Sequence, residues 1–162
     1  MKKRVLSLLM DNTPGVLGRV SGMFSRRGYN IDSLTVGITE DPAYSRMTVV
    51  VSGDDRILDQ IEKQLLKLVD VVSVEELEDG LSVCRELVLV KVKADKEEKQ
   101  QIIAIADVFR AKIVDVSLDS LMIELTGNVN KIEAFIRLLD GFTIKSLVRT
   151  GLTGLSRGNF GE

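Results

Sequence analysis

The sequence has no histidine and no tryptophan, one cysteine and two prolines in 162 residues. Without histidine there is no Ser-His-Asp or Cys-His nucleophile pair, no imidazole metal ligand, and no side chain that titrates near neutral pH unaided. Carboxylates and lysines remain, but paired acids such as Glu75-Glu76 and Glu97-Glu98 are neighbours in sequence and do not converge on a common point. A single cysteine, Cys84, allows neither an internal disulfide nor a cysteine-based zinc site, and suits a reducing compartment. Aromatic residues make up 4% and the net charge is −2, so there is neither a stacking surface nor a basic stripe for nucleic acid. No segment approaches the roughly 20 apolar residues of a membrane helix. Met1 to Met10 is basic and then apolar, but its apolar part is short and meets Asp11-Asn12 instead of a small-residue cleavage site, so it reads as a strand and not a signal peptide. The expectation is a cytoplasmic protein without catalytic residues or a metal site, and with no nucleic-acid or membrane partner.

Hydrophobic residues reach 44% and charged residues 28%, which predicts a packed core. One order of elements occurs twice. Arg4 to Met10 is strand-like, and Thr13-Pro14 resembles an N-cap followed by proline at the first helical position. Val16, Leu17, Val20, Met23 and Phe24 then recur at helical spacing up to Gly28, where a C-cap belongs. Asn30 to Thr39 and Arg46 to Ser52 flank a loop at Asp41-Pro42. Gly53-Asp54 caps a second helix, and Val71 to Leu77 closes the set. The second half repeats this: Glu86 to Lys93, a helix opened by Asp95, Lys112 to Ser117, Leu121 to Thr126, a helix capped at Gly127-Asn128, and Thr143 to Val148. Strand-helix-strand-strand-helix-strand is the split βαβ unit. The fold expected is therefore α+β, with two tandem ferredoxin-like βαββαβ domains spanning 1–78 and 83–162. The first strand is apolar at nearly every position, which predicts cover on both sheet faces. Self-association through sheet edges or faces would supply it; a monomer with exposed leucines is the alternative.

The most specific local string is Asp11-Asn12-Thr13-Pro14-Gly15-Val16-Leu17, between a strand and a helix. Free N–H groups at a helix start attract carboxylates. Gly15 lets a ligand approach the backbone, and Asn12 brings an amide that both donates and accepts. An amino acid fits this chemistry, with its carboxylate on the N–H groups near Gly15 to Leu17 and its ammonium on the Asn12 oxygen or a backbone carbonyl. Asn30 adds a polar side chain at the start of the next strand. Taken alone, the same string is also ordinary turn and cap chemistry.

The string, followed by Gly28-Tyr29-Asn30-Ile31, resembles an ACT domain, a βαββαβ module that binds amino acids between paired copies. The longer run Phe24 to Val36, with Ser45-Arg46-Met47-Thr48, Ile61 to Leu65, Leu68 to Val71 and the closing Gly151 to Gly158, resembles the small regulatory subunit of acetohydroxyacid (acetolactate) synthase over essentially the whole chain. The resemblance implies a homodimer or higher oligomer with valine, or another branched-chain amino acid, at the interface of paired N-terminal ACT domains. It implies an effector site of Asn12, Gly15, Val16 and Leu17 from one chain, with Asn30 and Ile31 from its partner. It also implies activation of a separate large subunit that carries thiamine diphosphate, Mg and FAD, with no cofactor on this chain. The second domain is ACT-like; its corresponding loop, Ala94-Asp95-Lys96-Glu97, is crowded with side chains, and it is the expected large-subunit contact. The glycine-rich 151–158 lacks the Gly-Lys-Ser/Thr ending of a phosphate loop and is expected to be a flexible tail or a large-subunit contact. The alternative is a stand-alone ACT-domain sensor that regulates another enzyme or transcription.

Overall fold

The computed structural model describes residues 1–158; residues 159–162, the end of the expected second domain, lie outside the described residues. The elements are β1 (Lys2–Asp11), α1 (Val16–Arg27), β2 (Asn30–Ile38), β3 (Tyr44–Gly53), α2 (Asp55–Leu66), β4 (Val71–Glu76), β5 (Ser82–Lys93), α3 (Lys96–Val108), β6 (Lys112–Val116), β7 (Ser120–Gly127), α4 (Val129–Leu138), β8 (Thr143–Arg149) and β9 (Thr153–Ser156). The two βαββαβ runs are as expected, and β9 is an addition. Two antiparallel sheets result, ordered β2-β3-β1-β4 and β6-β7-β5-β8, with β9 paired to β5. Contacts divide the described chain into one unit of Met1–Cys84 joined by segment 152–158, and a second of Arg85–Gly151. Segment 152–158 thus belongs with the first unit, whereas the sequence pattern grouped it with the second.

In the first unit, alternation along β1 sends Leu6, Leu8 and Met10 to the helical side, where they meet Met47, Val49 and Val51 of β3. The helices supply Val16, Val20, Met23 and Phe24 from α1 and Leu58, Ile61 and Leu65 from α2. These positions recur every three or four residues, so each helix buries one stripe. Helix α1 ends at Gly28, which takes the left-handed conformation (φ 66). The Gly28 N–H donates to Ser25 O and the Tyr29 N–H to Phe24 O, and the Phe24 and Tyr29 rings meet edge to face at 6.2 Å. This is a Schellman closure with its usual apolar contact. The opposite face of the sheet carries Ser7 and Thr48, both 2% exposed. Part of its cover comes from the chain itself: β9 lies against β3, and the Thr35 hydroxyl donates to Leu152 O at 3.2 Å.

The second unit buries Val88, Val90 and Val92 of β5 against Leu121, Ile123 and Leu125 of β7, under Ile102 and Ala106 of α3 and Ile132 and Phe135 of α4. Arg149 ties the buried Glu86 to Glu133, joining β8, β5 and α4. Two carboxylates hold the Arg149 guanidinium above its ordinary pKa. No helix among the described residues is long and apolar enough to cross a membrane.

Phe135 is fully buried and meets Phe109 edge to face at 5.4 Å. Phe135→Ala is expected to cost about 3–5 kcal/mol, since the cavity adds to the lost burial. Denaturant unfolding followed by circular dichroism measures this; a loss under about 1 kcal/mol contradicts the packing described.

Candidate functional site

Between the end of β1, the start of α1 and the far end of the β2–β3 hairpin lies a cleft of about 290 Å³. Met10, Asp11, Asn12, Thr13, Gly15, Val16, Leu17, Val36, Gly37, Ile38 and Ser45 line it. Four of the six expected site residues, Asn12, Gly15, Val16 and Leu17, therefore come together. The sequence pattern put the N-cap at Thr13 and began the helix at Pro14. Instead Gly15 is the N-cap and the helix begins at Val16, because Gly15 has φ 83 and ψ −3, a left-handed bend that a right-handed helix cannot contain. No side chain caps α1. Its opening N–H groups border the cleft and carry the partial positive charge of the helix start. The other three helices each have a side-chain cap: Asp54 on the Ile57 N–H, Asp95 on the Glu98 N–H and Asn128 on the Lys131 N–H. At Asp95 the Glu98 carboxylate accepts the Asp95 N–H in return, which completes a capping box at the corresponding loop of the second unit.

Asn12 is a fastener as well as a lining residue. Its Nδ2 donates to Pro42 O at 2.9 Å, its Oδ1 accepts from the Ser45 hydroxyl at 3.0 Å, and its backbone N–H donates to Ala43 O at 2.8 Å. These bonds pin the β2–β3 connection over the end of β1. One amide hydrogen and one oxygen lone pair remain for a ligand. Arg19 braces the other side. Its Nε donates to Asp70 Oδ2 at 2.6 Å and its Nη2 to Pro14 O at 3.4 Å, while the Asp11 N–H donates to Asp70 O at 2.9 Å. The guanidinium lies over Gly15, where an added Cβ would stand 2.8 Å from Nη1. The hydrogen bond from Arg19 holds the Asp70 carboxyl below its ordinary pKa against the opposing effect of desolvation. The apolar side of the cleft is the buried Val16 and Met10, with exposed Leu17, Val36 and Ile38 at its rim.

Asn30 and Ile31 are elsewhere in the same chain. Asn30 pairs with Ser52, and Ile38 with Ser45, so the two ends of β2 are separated by about 23 Å at ordinary strand rise. The Asn30 Nδ2 donates to Asp32 Oδ1 at 2.8 Å and to the Ser52 hydroxyl at 3.0 Å. Ser45, Val36, Gly37 and Ile38 were not singled out as site residues from the sequence. The hairpin register, Ile38 opposite Ser45 and Ser45 opposite Met10, would have indicated them. Among the described residues, no three His, Cys, Asp or Glu side chains are grouped to hold a metal ion.

Residues 6–73 match the family described as the AHAS small subunit-like ACT domain, and residues 85–158 match the small subunit of acetolactate synthase. A probable acetolactate synthase small subunit of Methanothermobacter thermautotrophicus is 52% identical over 96% of this chain and 93% of its own length. The acetolactate synthase small subunit of Mycobacterium bovis is 50% identical over 97% and 94%. This chain belongs to the acetolactate synthase small subunit family. The crystal structure of the acetolactate synthase small subunit from Thermotoga maritima, 43% identical, superposes with a TM-score of 0.90 over 98% of this chain and 99% of that one. As an acetolactate synthase small subunit the chain is a non-catalytic, regulatory component of that enzyme, and its first unit is an ACT domain.

The Arg19–Asp70 pair gives the site of this small subunit a pH dependence of defined sign. A carboxyl whose folded pKa is lowered contributes stability above its unfolded value, and this is lost as pH falls through the folded one. The stability gap between the unmodified chain and Asp70→Asn is expected to be constant near neutrality and to close below the usual carboxylate range. Thermal melts at stepped pH test this; a gap that widens on acidification contradicts it.

Proposed function

We propose that the cleft binds a branched-chain amino acid, valine foremost, between two copies of the chain, and that this binding sets how strongly the chain activates the large subunit of acetolactate synthase. The observation that carries the proposal is the uncapped start of α1 at Gly15, opening into an apolar cleft beside an edge strand. The effector carboxylate sits on the Leu17 and Gly18 N–H groups, since that of Val16 is turned to Thr13 O, and Asn12 Oδ1 or a nearby carbonyl receives the ammonium. Leu17, with Val16 beneath it, meets the aliphatic side chain.

A second copy completes the site. Strand β2 is a sheet edge and pairs only with β3 among the described strands. Antiparallel pairing of two β2 edges about Leu34 would set Asn30 of one chain opposite Ile38 of the other, and Ile31 opposite Gly37. The two ends of β2, far apart within one chain, then meet at each cleft. The same pairing covers the exposed Val36 and Ile38 and removes an open edge. This supports the assignment of Asn12, Gly15, Val16 and Leu17 to one protomer and Asn30 and Ile31 to its partner.

The effector acts by its difference in affinity for two subunit arrangements, a coupling of about 1–3 kcal/mol in typical cases. The large subunit supplies thiamine diphosphate, Mg and FAD. Family membership favours this role over that of a stand-alone sensor acting on another enzyme or on transcription.

Gly15→Asp puts a side chain at the left-handed bend, against the Arg19 guanidinium, and a negative charge beside the donors for the effector carboxylate. It is expected to raise the half-inhibiting valine concentration by at least about tenfold, equivalent to about 1.4 kcal/mol, while activation of the large subunit is kept. Acetolactate formation by the mixed subunits, with and without valine, gives the result. Full valine sensitivity in a folded Gly15→Asp chain overturns the site.

A further inference from the structure

Segment 152–158 follows the whole second unit in sequence but is part of the first. It is held at several points. The Arg157 N–H donates to Leu81 O at 2.8 Å, β9 pairs with β5, and Leu152 is 9% exposed. Gly154 is packed with no space for a side chain: an added Cβ would lie 2.6 Å from Cys84 Sγ, 2.9 Å from Val83 O and 3.0 Å from Leu77 Cδ1. One of these contacts is backbone, so a larger residue must displace the strand. The hold on β2 is specific. Leu152 O accepts the Thr35 hydroxyl, and the next three residues of β2, Val36, Gly37 and Ile38, line the cleft from the same strand.

We infer that β9 is a latch on the effector strand: through Thr35–Leu152, and through the close seat of Gly154, it fixes the end of β2 that borders the cleft. The latch restrains β2 from the sheet face opposite the helices, a direction held neither by β3 nor by a second copy paired at the open edge. Thr35 and Gly154 are thus positioning residues and touch no ligand. The covalent path gives the latch a second consequence. The chain passes between the units twice, at 84–85 and at 151–152. Leu152, which holds Thr35, is the first residue of the first unit after the second of these crossings.

The inference rests on the functional reading above, and two measurements on the full chain separate them. Hydrogen exchange of the β2 amides, residues 30–38, reports the latch without any ligand. Calorimetry with valine reports its effect on the cleft. Gly154→Val is expected to speed exchange along β2 and weaken valine binding by about tenfold or more, within the range of allosteric couplings. Thr35→Val removes one hydroxyl at constant shape and is expected to speed β2 exchange and to weaken binding by up to about fivefold, the worth of one net hydrogen bond. Thr35→Ser should restore it. If Gly154→Val does not fold, the Thr35 pair decides alone. Unchanged β2 exchange and unchanged valine affinity in Thr35→Val overturn the latch. If the unmodified chain binds no valine, the functional reading falls, and the exchange data still decide the latch.

Discussion

The first unit depends on how the backbone turns at Gly15. Strand β1 arrives apolar on its helical side and must hand the chain to α1 within four residues. The left-handed bend at Gly15 does this without contributing a side chain. The Val16 N–H turns back to Thr13 O, but no side chain takes the N–H groups of Leu17 and Gly18, one of which an aspartate or asparagine cap would occupy. Asn12 and Arg19 brace the bend from either side: one fastens the β2–β3 connection, and the other reaches Asp70, just before β4. The cleft is the space these three residues keep open.

The two units show how one topology yields different chemistry. Both are βαββαβ and both bury a central strand under two helices. At the first strand-to-helix step, however, the second unit has Asp95 and Glu98 bonded to each other's backbone. The capping box occupies the Asp95 and Glu98 N–H groups and sets two carboxylates at the helix start, where they oppose a ligand carboxylate. The same topology thus carries two differently bonded strand-to-helix loops, and the fold only positions them.

Edge strands carry the rest of the reasoning. β2 has one bonded neighbour in the sheet and bears exposed apolar side chains at its cleft end. Such an edge invites a partner, and its faces need support. In this protein support on the face away from the helices comes from residues more than a hundred positions later in the chain. Sequence-distant segments thus meet on the strand that borders the candidate site.

The sequence alone determined the repeated order of strands and helices, since periodicity and cap residues such as Asp54, Asp95 and Asn128 are local signals. It also marked Asn12, Gly15, Val16 and Leu17, because a strand-to-helix loop is contiguous. Tertiary structure decided what is not contiguous. The start of α1 moved from Pro14 to Val16 because the φ of Gly15 is not encoded by proline and threonine preferences. Ser45, Val36 and Ile38 entered the cleft through antiparallel register, and Arg19 reached Asp70 across 51 positions. The seat of β9 was not legible either: a short glycine-rich stretch has little propensity of its own, and only the surface prepared by Thr35, Val83 and Cys84 gives it a place.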